Sequence, residues 1–302
     1  MWSLPRALGA AAGVTRLGPL LVLQGAVLAV STSAILIRFT TAPPLLTATV
    51  RMLVAASILL AVAACCRRTE LRNLERRDVL LMAASGFALG VHFALWTTGL
   101  FWTSVASAVL LVDTHPVFVA LLAVTVLREP PPRAVWIGIA LTMAGSALIA
   151  SGDLQVGGRA LIGDVMVLGA SATVAVYLVI GRRVRQRLGL ATYAGLVYGI
   201  AGVSLLLMSL VIGVPLTDFG AHDAAAWAGL VVLPTLAGHT VINWSLKHVA
   251  APVVGVSLLG EPVLTTLLAW LVLSEEPPLM VLPGGALILV GLFMALRAGA
   301  RH

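Results

Sequence analysis

The 302-residue chain is 60% hydrophobic and only 10% charged, with a mean hydropathy of +1.06 and a formal net charge of +7. A soluble domain is about 45–50% apolar and about 25% charged, so this chain has too few charges to coat a soluble surface of its size. The basic excess sits at one end of the apolar runs described below, which points to a membrane face and not to nucleic acid, and the adjacent pair Cys65 and Cys66 cannot form a disulfide framework.

A membrane-crossing helix needs about 20 mostly apolar residues. Ten such stretches follow in chain order: 19–37, 45–64, 79–99, 104–127, 134–150, 161–180, 191–213, 225–245, 252–273 and 281–297. They predict an all-α integral membrane protein with ten transmembrane helices, separated by short breaks such as "TTAPP", "REPPPR" and "SEEPP". The runs are continuously apolar and not alternating, which excludes a β-barrel. The first run follows Arg6 and Arg16 and could pass for a signal peptide. Treating it as cleaved would leave nine spans and spoil the charge pattern, so it reads as a retained first helix.

Lys and Arg set the orientation. The N-terminal tail, the even-numbered loops and the C-terminal tail together hold 16 of them, against Arg38 and Arg159 on the other side, with Arg51 inside the second span. Both termini are therefore expected in the cytoplasm and the lipid bilayer of the cell membrane around the spans. The organisation expected is a tail over 1–18, a first five-helix unit over 19–150 and a second over 161–297.

The two units are copies. Shifted by 146 residues, Pro116–Ala150 falls on Pro262–Leu296 without a gap, and 15 of 35 positions are identical. Shared aliphatic residues inflate such a count, but Pro116/Pro262, Glu129/Glu275, Pro131/Pro277, Pro132/Pro278, Gly138/Gly284 and Gly145/Gly291 are not aliphatic. Five spans per unit is odd, so the second unit enters the membrane from the opposite side. Inverted repeats of this kind underlie many secondary transporters, with the site near the midplane between the repeats.

Three stretches carry a family resemblance: the pattern from Pro116 to Gly145, its copy from Pro262 to Gly291, and "GDVMVLGASATVAVYLVIGRR" over 163–183. With the five-plus-five arrangement, they resemble the EamA-like family of the drug/metabolite transporter superfamily, over nearly the whole chain from Leu20 to Leu296. The resemblance implies a ten-helix permease moving small metabolites, with a central cavity lined mainly by spans 1, 3, 4, 6, 8 and 9.

An ionisable residue at membrane depth costs about 2.5–3.5 kcal/mol on insertion scales and marks a functional site by default. Arg51, His92, Asp113, His115, His239 and Glu261 qualify. Asp113 and His115 stand before Pro116 in "VDTHPVF"; Glu261 is the twin of His115 and also precedes a proline. Proline removes a backbone donor and disfavours helix geometry in the residue before it, so a local break is expected there, opening carbonyls toward a cation or a substrate. Histidine changes charge in the physiological range, and a carboxyl group removed from water can do so too. His115 and Glu261 are thus the candidates for coupling movement to protons.

His92 and Trp96, and His239 and Asn243, are four apart and share a helix face. With Tyr177 they read either as a binding wall, suited to amino acids, amines or aromatic drug-like molecules, or as interhelical hydrogen bonds of about 0.6 kcal/mol each. Gln24 and Ser31 to Ser33 are weaker candidates. Arg51, near a helix end, can snorkel to the outer interface. Glu129 would suit a salt bridge to Arg133, and the four repeat glycines, seven apart in pairs, would let helices pack closely.

No phosphate-binding Gly-x-x-x-x-Gly-Lys, His-Glu-x-x-His, Cys-x-x-Cys or Gly-x-Ser-x-Gly occurs. No cofactor or metal is therefore expected, and a secondary transporter, most naturally for efflux, leads over a multispan lipid-modifying enzyme or a membrane assembly subunit.

Overall fold

A computed structural model describes residues 6–100, 102–103, 108, 111–150, 158–217, 219–274 and 279–299. Glu275, Pro277 and Pro278, and most of the "SVASAVLLV" stretch over 104–112, lie outside the described residues. All regular elements among the described residues are helical. They are α1 (Arg6–Arg38), α2 (Pro44–Cys66), the short α3 (Arg68–Arg72), α4 (Arg76–Leu100), α5 (His115–Leu122, continuing in π turns over Ala123–Leu127), α6 (Arg133–Ala150), α7 (Arg159–Arg185) and α8 (Leu190–Val211). Then come α9 (Ala221–Leu230, continuing in π turns over Val231–His239), α10 (Thr240–Ser245), α11 (Ala251–Leu258), α12 (Glu261–Leu273) and α13 (Val281–Gly299).

Eight helical segments are long and apolar enough to cross a membrane, and two shorter apolar helices, His115–Leu127 and Arg133–Ile149, fall where the fourth and fifth spans were expected. The protein is thus a multi-pass membrane protein. Large apolar side chains such as Leu21, Leu80, Leu161, Leu207, Leu271 and Phe293 are exposed on its outside, as a hydrocarbon solvent requires and water would oppose.

The loops sort to two ends. At one end, Gly189 in the loop after α7 meets Glu70 on α3, and Arg182 on α7 meets Glu129 after α5. At the other, Thr41 in the loop after α1 meets Asp223 on α9, and Thr103 meets Asp164. The arginine-rich loops share the first of these ends, in keeping with the charge count. Glu129 pairs with Arg182 at 3.2 Å and not with Arg133, because α7 brings its last turn beside the end of the π segment.

The longest helix seam joins α6 to α13, antiparallel. A Cβ added to Gly138 would sit 2.7 Å from the Gly291 carbonyl oxygen, and one on Gly145 would sit 2.5 Å from that of Gly284. The reciprocal positions are equally closed: Gly284 against Gly145 and Gly291 against Gly138, both at 2.7 Å. The two contacts exchange under the repeat, so a pseudo-twofold axis runs through this seam. Only glycine allows backbones this close, and in lipid such packing replaces the hydrophobic drive available in water.

Gly145→Ala should therefore lower the melting temperature in detergent, by an overpacking cost of about 1–3 kcal/mol. Gly25→Ala, where an added Cβ meets nothing within 4 Å, should leave it unchanged. Equal effects of the two would contradict the seam.

Candidate functional site

Both expected breaks are present, at the same place in the repeat. The helix leading to α5 turns over at Asp113–Thr114 and restarts at His115, and α11 turns over at Leu259–Gly260 before α12 starts at Glu261. Under the shift of 146 these residues coincide one for one. Shortened bonds mark both turns: the Thr114 N–H donates to Leu111 O, and the Gly260 N–H to Ser257 O.

Proline explains the chemistry. Pro116 has no N–H, so the carbonyl four residues back, at Val112, loses its helical partner. The His115 ring replaces it, with Nδ1 3.0 Å from Val112 O, while Nε2 lies 3.2 Å from Gly255 O on α11. A neutral imidazole carries one N–H and can donate to one of these carbonyls; an imidazolium donates to both. Protonation of His115 would therefore strengthen a tie between the two repeat units. Asp113 is buried and accepts a hydrogen bond from Ser146 on α6.

In the second unit Pro262 withholds the same bond from Leu258, and the residue in the place of His115 is Glu261, which as a carboxylate has no proton to donate. Glu261 is half-buried, and both Asp113 and Arg51 act on it electrostatically. A related device occurs in α9. Pro234 has no N–H for Leu230 O, the backbone passes into π turns from Val231, and the Thr235 hydroxyl adds a bond to Leu230 O at 2.8 Å.

Thr235 also accepts from Arg51. Arg51 does not snorkel outward: it is 3% exposed, its Nε donates to Thr235 Oγ1 at 3.2 Å and its Nη1 to Ser33 Oγ at 3.3 Å. Its guanidinium carbon stands 4.9 Å over the Phe93 ring, whose far neighbour is His239 at 6.0 Å. His92 packs edge-on against Phe93 and places Nδ1 2.9 Å from Ala170 O on α7. A carbonyl only accepts, so Nδ1 carries the proton and Nε2 is the acceptor in the neutral ring. Arg51, His92 and His239, from α2, α4 and the π segment after α9, thus gather around the Phe93 ring, with Trp96 half-buried a turn beyond His92 and Glu261 of α12 acting on Arg51 electrostatically. The sequence named Arg51 among the ionisable residues but turned it toward the interface, because distance from a helix end does not reveal which way a side chain turns.

Tyr177 and Asn243 are placed differently. They are 1% and 0% exposed. Tyr177 donates to Asn243 Oδ1 at 2.8 Å, and Asn243 Nδ2 donates to Tyr198 Oη at 3.1 Å. Tyr198 in turn meets Thr240 Oγ1, which donates to Thr235 O. These residues form a closed hydrogen-bonded seam between α7, α8 and α10, leading from Arg51 toward the arginine-rich end.

Two cavities flank the polar group. One of about 270 Å³ lies at the end opposite the arginine-rich loops, lined by Pro44, Thr97, Thr98, Trp102 and Val214. One of about 570 Å³ lies at the arginine-rich end, lined by Glu129, Arg182, His248, Ala250 and Val253 among others. Each end also carries a clasp. Asp223, in the first turn of α9, takes the Thr41 N–H at 2.6 Å, the Ala42 N–H at 3.1 Å and the Thr41 hydroxyl at 3.0 Å. The acid in the first turn of α4, Asp78, which the shift of 146 sets on Ala224 next to Asp223, lies 3.6 Å from Arg187, the twin of Thr41. Arg187 also meets Glu75 at 2.6 Å, and its guanidinium holds that carboxyl below the usual carboxylate range.

The profile of the EamA-like transporter family matches residues 17–151 and again 161–297. An Archaeoglobus fulgidus protein named as an uncharacterized transporter is 28% identical over 218 residues, 71% of this chain and 74% of its own. The Bacillus subtilis uncharacterized transporter YdfC is 25% identical over 227 residues, 74% of this chain and 73% of its own. A solved crystal structure superposes with a TM-score of 0.79 at 20% identity, covering 95% of this chain and 99% of that one. At that identity the likeness shows the fold alone.

The closed seam makes a prediction. Asn243→Ala takes away the acceptor of the buried Tyr177 hydroxyl and one partner of Tyr198, which keeps Thr240, so it should destabilise the protein by about 1–3 kcal/mol, read as a lower melting temperature in detergent. An unchanged melting temperature would show that the Asn243 side chain is not holding the helices together.

Proposed function

The chain belongs to the EamA-like transporter family, and we propose that it is a ten-helix secondary carrier that exports small organic molecules from the cytoplasm by alternating access. The observation that carries this reading is the pair of broken helices, each with an ionisable side chain at the break, at twin positions of the two units. Broken helices of this kind are where inverted-repeat carriers place their sites.

The cargo would sit against His92, Trp96, His239 and Glu261, with Asp113 and His115 behind them, and Asn243 and Tyr177 would set the spacing of the helices around it. Amino acids, amines and drug-like compounds all suit such a mixture of charge and flat rings. The two clasps serve as gates. Release of Asp223 from Thr41 and Ala42 would open the outer end; release of Arg187 from Glu75 and Asp78, and of Arg182 from Glu129, would open the inner one. The gates use related positions, so one rocking motion of the units can loosen one end while tightening the other. The charge count supports cytoplasmic termini and a cell-membrane location.

Protons are the coupling ion in this reading. A protonated His115 donates to carbonyls of both units and a neutral one to a single carbonyl, so its proton biases how the units are docked. A protonated Glu261 can supply the donor that Pro262 lacks, whereas an ionised one is free to bind cargo. Cargo and proton thus compete for Glu261, which is the requirement for exchange.

In liposomes, wild-type protein should take up an amino acid, amine or nucleoside from a panel in a way that follows an imposed pH gradient. Glu261→Gln should reduce gradient-driven uptake at least about tenfold, the loss of one charged hydrogen bond, with little change in melting temperature. Unchanged gradient-driven uptake by the variant would remove Glu261 from the coupling scheme.

A further inference from the structure

Among the described residues, three buried side-chain atoms have no hydrogen-bond partner: Gln24 Nε2, Arg51 Nη2 and Thr192 Oγ1. Of the three side chains, only Arg51 carries a charge. Its other two nitrogens rest on neutral hydroxyls at 3.2 and 3.3 Å. An anionic acceptor would draw such donors to about 2.7–2.9 Å. No described acid forms an ion pair with it, and Glu261 acts on it only from further off. A guanidinium this deep, with one buried N–H edge unpaired, carries a charge that its surroundings leave uncompensated.

We propose that Arg51 Nη2 is the docking point for a carboxylate on the transported molecule. The inference rests on the carrier reading and narrows it, selecting anionic or zwitterionic cargo over plain amines. Four features of the surroundings fit. The guanidinium is planar, so Nη1 and Nη2 present adjacent N–H groups to the two oxygens of a carboxylate. The Thr235 and Ser33 hydroxyls fix its orientation from α9 and α1, which spares the entropy of ordering a long side chain when the ligand arrives. Phe93 covers one face of the guanidinium and excludes water there. Glu261, which acts on Arg51 electrostatically without an ion pair to it, would meet an ammonium on the same molecule and would repel a second carboxylate.

Thr235 lies in the π segment, one residue after Pro234. Any tilt of α9 that opens the outer clasp at Asp223 would therefore also move the Arg51 anchor, so an anion bound there is coupled to the gate at the outer end.

The test uses purified full-length protein and matched probes at constant ionic strength made up with chloride: acetate against acetamide, benzoate against benzamide, and phenylalanine against phenylalaninamide. Binding is read from the rise in melting temperature with ligand concentration, which needs no transport. For at least one pair, the carboxylate should bind at least about tenfold more tightly than its amide. Arg51→Lys should keep part of that preference and Arg51→Gln should lose it. If Arg51→Gln does not fold, the wild-type comparison and Arg51→Lys still decide. Amides binding as tightly as acids, no carboxylate binding at all, a preference that survives Arg51→Gln, or equal protection by chloride alone would each overturn the proposal. Uptake in liposomes separates this inference from the one it rests on. Arg51-dependent carboxylate binding without uptake of any probe keeps the docking point and counts against the carrier, whereas uptake of amides and acids alike keeps the carrier and sinks the docking point.

Discussion

In a bilayer every backbone carbonyl that loses its helical partner needs another donor, because no water is at hand to supply one. Three prolines in this protein create that need at depth, and each is followed or preceded by a residue that bears on it. The His115 ring repairs the carbonyl orphaned by Pro116, and at Pro234 the backbone answers with π turns and an added bond from the Thr235 hydroxyl. Beside Pro262 the chain places Glu261, whose ability to make the same repair depends on whether it holds a proton. The polar residues that look expensive in an oily sequence are thus what make the breaks tolerable, and the breaks are what bring polar groups to the middle of the protein.

The repeat makes the two halves alike in backbone and unlike in chemistry. Gly138, Gly145, Gly284 and Gly291 keep the pseudo-twofold seam tight, so the two broken helices are held at related positions on either side of it. On that symmetric frame sits an asymmetric pair, a base at one break and an acid at the other. The clasps show the same pattern. An aspartate opens α4 and another opens α9, but one grips an arginine side chain and the other grips backbone N–H groups. Asp78 is buried while Arg187 is exposed, and Asp223 gathers two backbone N–H groups and a hydroxyl from the loop after α1.

The fold was legible because its signals are long and additive: apolar runs, a lopsided arginine count and a gapless repeat. The positions of Asp113, His115 and Glu261 were legible too, since few environments tolerate such residues inside a span. Side-chain direction was not. Arg51 could turn to the interface or to the interior, and that choice is made by Ser33, Phe93 and Thr235 on three other helices. Likewise, a spacing of four puts His239 and Asn243 on one face without saying whether that face meets a cargo or Tyr177 and Tyr198. The strict register also pairs His92 with Gly238 and not with His239, and the π turns over Val231–His239 are where an additional residue can enter.

The central claim is that one motion works both ends in opposite senses. It is tested most directly by distances between spin labels in a variant lacking Cys65 and Cys66, with one label pair at Arg128 and Lys247 and another at Phe39 and His222, all exposed sites. Each pair bridges the two units, one at the arginine-rich end and one at the opposite end. When the protein is taken from alkaline to acidic buffer, the account predicts that one distance shortens while the other lengthens. Two distances that change in the same direction, or that both stay fixed, would contradict it.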